Sequence, residues 1–248
     1  MKAVVFAAGI GSRLKPFTDH HPKALAPLAG KPVLGHVIDK LMAAGADDIV
    51  VNVHHFPSQI ISYLSENYPH VGVSDESALL LDTAGGLAKI YRENTFRTPL
   101  LPSEPVIIHN ADIFTDFSLC GMLEAHKEGR ATLLVDPARK SSRELLFDEK
   151  KMIGWRNVKT GMVRPSGIET AGLQPAAFGG VHIISGNILA AVDEYVGAEL
   201  TPCSIMDFYI DSCAKIDIVP FTPVSPYHWF DIGTPEKLSA ARKSVENQ

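Results

Sequence analysis

The chain has 248 residues, of which 46% are hydrophobic and 21% are charged, and its formal net charge is −5. This composition suits a globular protein with one large α/β domain or two small ones, and the acidic balance argues against a nucleic-acid partner, which would need a basic face. No apolar run reaches the length of a signal-peptide core or a membrane span, so we expect a cytoplasmic protein with no membrane partner. Neither a disulfide framework nor a zinc site is expected, because the three cysteines are unclustered: Cys120, Cys203 and Cys213.

An apolar run at residues 4–7 predicts a buried strand, and a loop of small residues follows it directly. Glycine lets successive backbone N–H groups approach a polyanion, because no Cβ keeps the ligand away. Leu14 stands where the dinucleotide fingerprint needs its third glycine, and the chain contains no Walker A string. We therefore expect a different nucleotide-binding loop, formed by Ala8, Gly9, Gly11, Ser12 and Arg13.

The next elements alternate between helix and strand. Apolar residues at helical spacing predict helices at residues 33–42 and from Pro57 onward, and a third helix begins at Thr83. Runs rich in β-branched residues predict strands at residues 48–53, 71–74 and 106–109. Such alternation is typical of right-handed βαβ units, so we predict a parallel sheet that is covered on both faces.

The second half of the chain continues the pattern after an interruption. Helices are predicted at residues 119–128, 187–195 and 204–214 and from Thr234-Pro235 onward, and strands at residues 131–135, 178–185, 216–220 and 227–232. Residues 143–170 lose the helical rhythm and alternate with turns, which indicates a β-rich insertion or lid. No linker or repeat divides the chain, so we expect residues 1–248 to form a single domain.

Two aspartates follow predicted strands and could bind a metal together. Asp112 lies in the string HNAD and Asp231 in the string WFDIG. Each alone could cap a turn, but ligands in open parallel sheets bind beyond the carboxyl ends of the strands. Because Mg²⁺ typically takes one or two carboxylates and completes its shell with phosphates and water, the pair predicts a Mg²⁺ site.

Several strings together resemble a known signature. AAGIGSRLKPFT, the following PKAL, HNAD and WFDIGTPEKL resemble the sugar-1-phosphate nucleotidyltransferases, most of all the short N-acetylmuramate-1-phosphate uridylyltransferase type. The resemblance implies a Rossmann-like, mostly parallel open sheet flanked by helices, the nucleotide-diphospho-sugar transferase fold. It also implies a nucleoside triphosphate and a sugar 1-phosphate as substrates, and Mg²⁺ held by Asp112 and Asp231. We expect a monomer or a small homo-oligomer.

The implied reaction gives roles to the cations of the first loop. A sugar-phosphate oxygen attacks the α-phosphorus, and no general base is needed because a phosphate monoester is already ionised. The planar guanidinium of Arg13 suits the β- and γ-phosphates, and Lys23 suits the α-phosphate and the incoming sugar phosphate. With Asp112 these two form the predicted catalytic set, and Lys15 is a supporting cation. The alternative for the cations is solvated surface charge.

A second glycine string, at residues 81–86, resembles the segment that borders the nucleobase in the family. Gly85 and Gly86 are therefore the candidates for contacts with the base, although relatives usually carry glycine where this chain has Ala84. A plain helix N-terminus with small residues for packing explains the spacing equally well.

The sugar side has less distinct candidates. The string FGGV resembles a family segment whose backbone contacts sugar hydroxyls. The Glu-Lys pair that many relatives carry in the β-rich insertion is not evident, and Arg156 could replace its lysine. We expect the sugar phosphate to contact Asn52, Asn110, Arg156, Gly179 and Gly180.

Three alternatives remain open. The acceptor could be another hexose 1-phosphate used with dTTP or GTP, or phosphocholine used with CTP. The chain could instead be a non-catalytic nucleotide-sugar sensor, which should have lost part of the catalytic set. Leu14 disfavours a dinucleotide-dependent oxidoreductase. The set is complete, with Arg13, Lys23, Asp112 and Asp231 all present.

Overall fold

A ten-stranded mixed sheet forms the centre of the computed structural model, which describes residues 1–246. The strands are β1 (Lys2–Phe6), β2 (Pro27–Leu28), β3 (Lys31–Pro32), β4 (Asp48–Val53), β5 (Gly72–Asp75), β6 (Pro105–Asn110), β7 (Ile113–Thr115), β8 (Arg130–Asp136), β9 (Arg143–Phe147), β10 (Met152–Asn157), β11 (Val163–Arg164), β12 (Gln174–Ser185), β13 (Asp217–Phe221) and β14 (Trp229–Asp231). The helices are α1 (Val33–Ala43), α2 (Pro57–Asn67), α3 (Asp82–Arg92), α4 (Leu119–Ala125), α5 (Gly186–Val196), α6 (Ile205–Ser212) and α7 (Pro235–Glu246).

The central strands are parallel, as predicted. The sheet runs in the order β11-β10-β9-β12-β6-β1-β4-β5, with β1 parallel to both β4 and β6 and with β4 parallel to β5. The long strand β12 runs antiparallel to β6, β8 and β9, and β13 runs parallel to β8. The predicted mostly parallel open sheet flanked by helices is therefore confirmed, with antiparallel strands added on one side.

Both faces of the sheet are buried because alternate residues of each strand belong to different cores. Val4 packs in the cluster that includes residues of α3, α5 and α6, whereas Ala3 and Val5 pack in the cluster that includes residues of α1, α2 and α4. All three side chains are fully buried. This burial on both faces explains why the strands read as continuous apolar runs. No helix among the described residues is long and apolar enough to cross a membrane.

Three predicted elements differ from the structure. The strand predicted at residues 178–185 begins four residues earlier, at Gln174. The helix predicted at residues 119–128 ends at Ala125, because His126 adopts an extended conformation and its Nδ1 bonds Thr132 Oγ1 at 2.9 Å. The strand predicted at residues 227–232 is only Trp229–Asp231, and it does not join the central sheet. It pairs antiparallel with β7 as a separate two-stranded sheet.

Residues 143–170 contain β9, β10 and β11, as the predicted β-rich insertion requires. Strand β9 pairs with Gln174, Pro175 and Ala176 at the start of β12, so this segment extends the central sheet. Its action as a lid stays a prediction.

Candidate active site

A cleft of about 480 Å³ opens at the carboxyl ends of β1, β4 and β6, where ligands of parallel sheets bind. Its walls come from the opening loop, from the segment around Lys23, from the loop after β6 and from the start of α3. Six residues predicted from the sequence line it: Ala8, Gly9, Lys23, Asn52, Asn110 and Asp112.

The opening loop is shaped so that Lys23 can lie close beneath it. Gly11 has a φ of +67°, and a Cβ there would lie 2.9 Å from the Cβ of Lys23. The hydroxyl of Thr18 donates to the carbonyl of Gly11 at 2.9 Å, and Ser12–Leu14 then form one 3₁₀ turn. Gly9 has open space where a Cβ would be, so its backbone is accessible to a ligand.

A buried polar network positions the start of the loop. Asn52 Oδ1 accepts hydrogen bonds from the backbone N–H groups of Ala7 at 2.7 Å and Ala8 at 3.3 Å. The Nδ2 of the same side chain donates to Glu76 Oε1 at 2.8 Å, and Glu76 Oε2 accepts from the N–H of Leu81 at 3.1 Å. This Asn52–Glu76 network links the ends of β1, β4 and β5 to the segment before α3. The amide of Asn52 is thus engaged within the protein, and its contact with the sugar stays a prediction.

Sequence analysis missed Glu76, which lies outside every recognised string. Its side chain is buried, and burial raises the pKa of the carboxyl, although the hydrogen bonds from Asn52 and Leu81 act in the opposite direction. The sequence did contain one signal for Glu76, since it is a polar residue directly after a strand that ends beside the first loop.

The two predicted metal-binding aspartates lie on either side of Lys23. Lys23 Nζ forms an ion pair with Asp112 Oδ2 and lies 3.9 Å from Asp231 Oδ1, and its side chain is only 10% exposed. The N–H of Ile232 donates to the carbonyl of Asp112 at 2.7 Å, which joins the two segments directly. Lys237, which the sequence analysis also missed, donates to Asp231 Oδ2 at 2.6 Å from the first turn of α7.

The strand that carries Asp231 is not part of the parallel sheet in which the sequence predicts it. Both aspartates were expected at strand ends of one parallel sheet, and Asp112 does follow β6. Asp231 instead ends β14 and pairs with Ile113 of β7, the strand that begins just after Asp112. The β7–β14 pair, rather than the parallel sheet, therefore brings the two carboxylates together.

The donor set fits a hard divalent ion that completes its shell elsewhere. Within residues 1–246, no group of three or more His, Cys, Asp or Glu side chains could hold a metal. Asp112 and Asp231 would supply two carboxylates, and a Mg²⁺ ion there would take its remaining oxygens from phosphates and water.

Arg13 is exposed near the second aspartate, and it is not among the residues that line the cleft. A Cβ on Gly233, two residues after Asp231, would lie 3.3 Å from Arg13 Nη2. The guanidinium therefore lies on the Asp231 side of the pair. Its contact with phosphates stays a prediction.

The predicted base-binding glycines are packed inside the protein. A Cβ on Gly86 would lie 2.7 Å from Glu76 Oε1, and one on Gly85 would lie 2.8 Å from the carbonyl oxygen of Thr201. These close approaches explain the need for small residues, and neither glycine is among the residues that line the cleft. The start of α3 lines it instead through Asp82 and Thr83. Contact between the two glycines and the base stays a prediction.

The remaining sugar-side candidates lie in two separate places. Gly180 lies beside Asn110, since a Cβ on it would be 3.2 Å from Asn110 Nδ2, and Gly179 is its neighbour on β12. Arg156 lies on β10, where its Nε donates to Glu144 Oε2 at 2.7 Å, and it does not line the cleft. Substitution of Arg156 for the family lysine stays a prediction.

The chain is similar to known nucleotidyltransferases. The family model described as nucleotidyl transferase matches residues 2–144. The chain is similar to N-acetylmuramate alpha-1-phosphate uridylyltransferase of Caulobacter vibrioides, with 26% identity over 98% of this chain and 97% of that protein. It is 29% identical over 95% of its length to mannose-1-phosphate guanylyltransferase 1 of Arabidopsis thaliana, but it spans only 62% of that relative.

Solved structures resemble the whole chain. A UDP-glucose pyrophosphorylase superposes with a TM-score of 0.75 at 14% identity, covering 100% of this chain and 98% of that one. CTP:phosphocholine cytidylyltransferase from Streptococcus pneumoniae superposes with a TM-score of 0.70 at 18% identity, covering 98% of each chain. The predicted fold and the predicted resemblance are both confirmed.

Proposed function

The chain belongs to the nucleotidyl transferase family, and we propose that it transfers UMP from UTP to N-acetylmuramate 1-phosphate, giving the UDP-sugar and pyrophosphate. The observation that carries the proposal is that the opening loop, Lys23 and Asp112 line one cleft, with Asp231 Oδ1 3.9 Å from Lys23 Nζ. The choice of UTP and of the sugar is supported by the similarity to the Caulobacter vibrioides enzyme, which extends over nearly the full length of both chains.

In the proposed reaction, an ionised oxygen of the sugar phosphate attacks the α-phosphorus of UTP in line, and the bond to the departing pyrophosphate breaks. Two polyanions must be held together while charge grows on the leaving group, so catalysis depends on positioning and neutralisation. Lys23, held between the carboxylates, supplies positive charge where the two phosphates meet. Arg13 supplies it to the leaving pyrophosphate.

Asp112 and Asp231 would hold Mg²⁺ in this proposal. The ion would supply Lewis-acid charge and a template for the phosphates. The protein itself contributes the fixed loop, since the Asn52–Glu76 network holds the Ala7 and Ala8 backbone before any ligand arrives. A cytoplasmic location is part of the proposal, supported by the unclustered cysteines, which suit a reducing compartment.

A pyrophosphate-release assay with Mg²⁺ tests the proposal. The four common NTPs are each paired with N-acetylmuramate 1-phosphate, glucose 1-phosphate, mannose 1-phosphate and phosphocholine. We expect the highest kcat/KM for UTP with N-acetylmuramate 1-phosphate. A different best pair would reassign the substrates, and nucleotide binding without turnover of any pair would identify a sensor. The Asp112→Asn variant is the inactive control.

A further inference from the structure

The strand β12 carries an irregularity next to the candidate site. Its pairing with β8 passes from Phe178 opposite Val135 to His182 opposite Leu133, so four steps on β12 face two steps on β8. In the part of the chain that the structure describes, Gly179 and Gly180 have no paired residue on β6 or β8. Bulges of this kind redirect the backbone beside functional sites. We call residues 179–180 the bulge.

The bulge packs against the segment that carries Asp112. Gly180 has a φ of +76°, and a Cβ on it would lie 2.7 Å from Ile113 Cγ1 and 3.2 Å from Asn110 Nδ2. Ile113 and Asn110 flank the loop between β6 and β7. The bulge therefore contacts the residues on both sides of the loop that carries Asp112.

Two side chains hold successive carbonyl groups of the bulge region. Arg139 Nη2 donates to the carbonyl of Phe178 at 2.7 Å and to that of Ala177 at 3.3 Å. Trp229 Nε1 donates to the carbonyl of Gly179 at 2.8 Å. The two side chains also support one another, because the Arg139 guanidinium carbon lies 3.6 Å from the centroid of the Trp229 ring.

This arrangement fixes backbone amides as well as carbonyls. A trans peptide is planar, so its N–H points away from its C=O. Holding the carbonyl of Phe178 therefore fixes the N–H of Gly179, and holding that of Gly179 fixes the N–H of Gly180. The backbone of Arg139 is itself anchored, since its N–H donates to Asp136 Oδ1 at 3.2 Å.

The same arrangement reaches the second carboxylate. Trp229 and Asp231 are two residues apart on β14, so their side chains lie on the same face of that strand. A displacement of Trp229 would therefore change both the bulge and the strand that carries Asp231.

We propose that Arg139 and Trp229 act as positioning residues, a clamp that fixes the bulge so that its backbone amides can bind the sugar phosphate. This proposal rests on the proposed function and on the expectation, drawn from the sequence, that the sugar phosphate contacts Gly179 and Gly180. The clamp holds the bulge, whereas the start of the opening loop is held separately by the Asn52–Glu76 network.

Four variants test the clamp. Arg139→Ala removes both the hydrogen bonds and the stack, and Arg139→Lys keeps the charge without the planar fork. Trp229→Phe keeps an aromatic ring but loses the Nε1 donor. Lys140→Ala removes one positive charge from the exposed neighbouring residue and is the matched control.

The first readout is kinetic, in steady-state assays with UTP and N-acetylmuramate 1-phosphate. We expect Arg139→Ala to raise the KM for the sugar phosphate about tenfold, equivalent to about 1.4 kcal/mol, while the KM for UTP changes less than about twofold. Trp229→Phe should raise it by a smaller factor, Arg139→Lys should restore only part of the loss, and Lys140→Ala should match the wild type. Equal increases in both KM values, or full rescue by lysine, would overturn the proposal.

The second readout is independent of activity. Hydrogen–deuterium exchange of a peptide covering residues 174–185 should be faster in Arg139→Ala and in Trp229→Phe than in the wild type, with no change in β1. Unchanged exchange in both variants would overturn the clamp even if activity fell. Absence of turnover by the wild type would instead defeat the proposed function, and the exchange data would still decide whether the clamp exists.

Discussion

Replacing Asn52 with alanine tests the idea that a buried amide, rather than the loop's own sequence, sets the shape of the opening loop. Asn52 is only 2% exposed, and its side chain makes hydrogen bonds to Ala7, Ala8 and Glu76. The substitution leaves the N–H of Ala7 and the carboxylate of Glu76 without these partners in the interior. The opening loop then loses its connection to β4 and β5.

The expected loss follows from the groups left unpaired. Each buried polar group without a partner costs about 1–3 kcal/mol, so two groups cost about 2–6 kcal/mol. We expect roughly 3 kcal/mol, in the lower part of this range, because Glu76 keeps its hydrogen bond from Leu81. In a domain of this size, each kcal/mol lowers Tm by about 2–4 °C, so we expect a decrease of roughly 6–12 °C. Because a shift of about 1 Å in a positioning group can cost roughly 100-fold in rate, kcat/KM should fall about 10- to 100-fold.

The assay combines urea unfolding with pyrophosphate release. A second variant, Asn52→Asp, predicts the direction in which stability changes with pH. Asn52→Asp keeps the acceptor for Ala7 but places a carboxylate oxygen where Nδ2 now lies, 2.8 Å from Glu76 Oε1. Two carboxylates this close repel one another when both are ionised, so in the folded state they share one proton. The folded state therefore binds this proton more tightly than the unfolded state. Measured relative to the wild type, the free energy of unfolding of this variant should therefore decrease as the pH rises from 5 to 8.

Asn67→Ala is the matched control, because Asn67 is exposed and donates only to the carbonyl of Tyr63. The reasoning fails if Asn52→Ala unfolds at the same urea concentration as this control. It also fails if Asn52→Asp and the wild type show parallel dependence of stability on pH.

Three further predictions concern the carboxylate, the bulge and the buried histidines. Asp112→Asn should remove most pyrophosphate release with little change in urea unfolding, because the side chain is 32% exposed and its proposed role is to hold a metal. Gly180→Ala should lower the free energy of unfolding by about 1–3 kcal/mol and raise the KM for the sugar phosphate, because its φ is +76° and Ile113 leaves no space for a Cβ. Stability should fall as the pH falls from 6.5 towards 4, since burial lowers the pKa of His109 to about 4 while an unfolded histidine binds a proton near 6.5. Urea unfolding over this pH range, in the wild type and in His109→Gln, measures the contribution of that ring.

A specific result would contradict each of these three predictions. Near-normal turnover by Asp112→Asn would exclude a metal ligand at that position, and an unchanged Tm for Gly180→Ala would mean that the bulge adjusts freely. His182 is also buried, and its pKa is lowered to about 3, so His109→Gln should reduce the pH dependence without abolishing it. An identical slope in the variant would show that His109 binds a proton in the folded state.

The sequence predicts the order of the elements well, because continuous apolar runs and Gly or Pro residues mark strands and their ends locally. It also predicts that Asp112 faces the opening loop, since parallel strands place their carboxyl ends at one edge. The helix predicted to residue 128 was wrong because Thr132, beyond the helix, provides a partner for His126. The prediction that Asp231 ends a strand of the parallel sheet was wrong for a similar reason, because Asp231 pairs with β7, which lies far away in the chain.

The residues that sequence analysis missed share a physical cause. Glu76 and Asn52 are 24 residues apart, and Trp229 reaches a carbonyl 50 residues away. Such hydrogen bonds leave no periodic or local signature, and they become evident only when the strands are in register. The same holds for Lys237, which approaches Asp231 only because α7 folds back after β14.

The separate pairing of β14 has a consequence for biosynthesis. The last strand of the central sheet, β13, ends at Phe221, ten positions before Asp231. A polypeptide that grows from its N-terminus can therefore complete the whole ten-stranded sheet while one carboxylate of the pair is still inside the ribosome. A truncation after residue 221 should likewise give a protein whose sheet assembles but whose candidate site lacks Asp231.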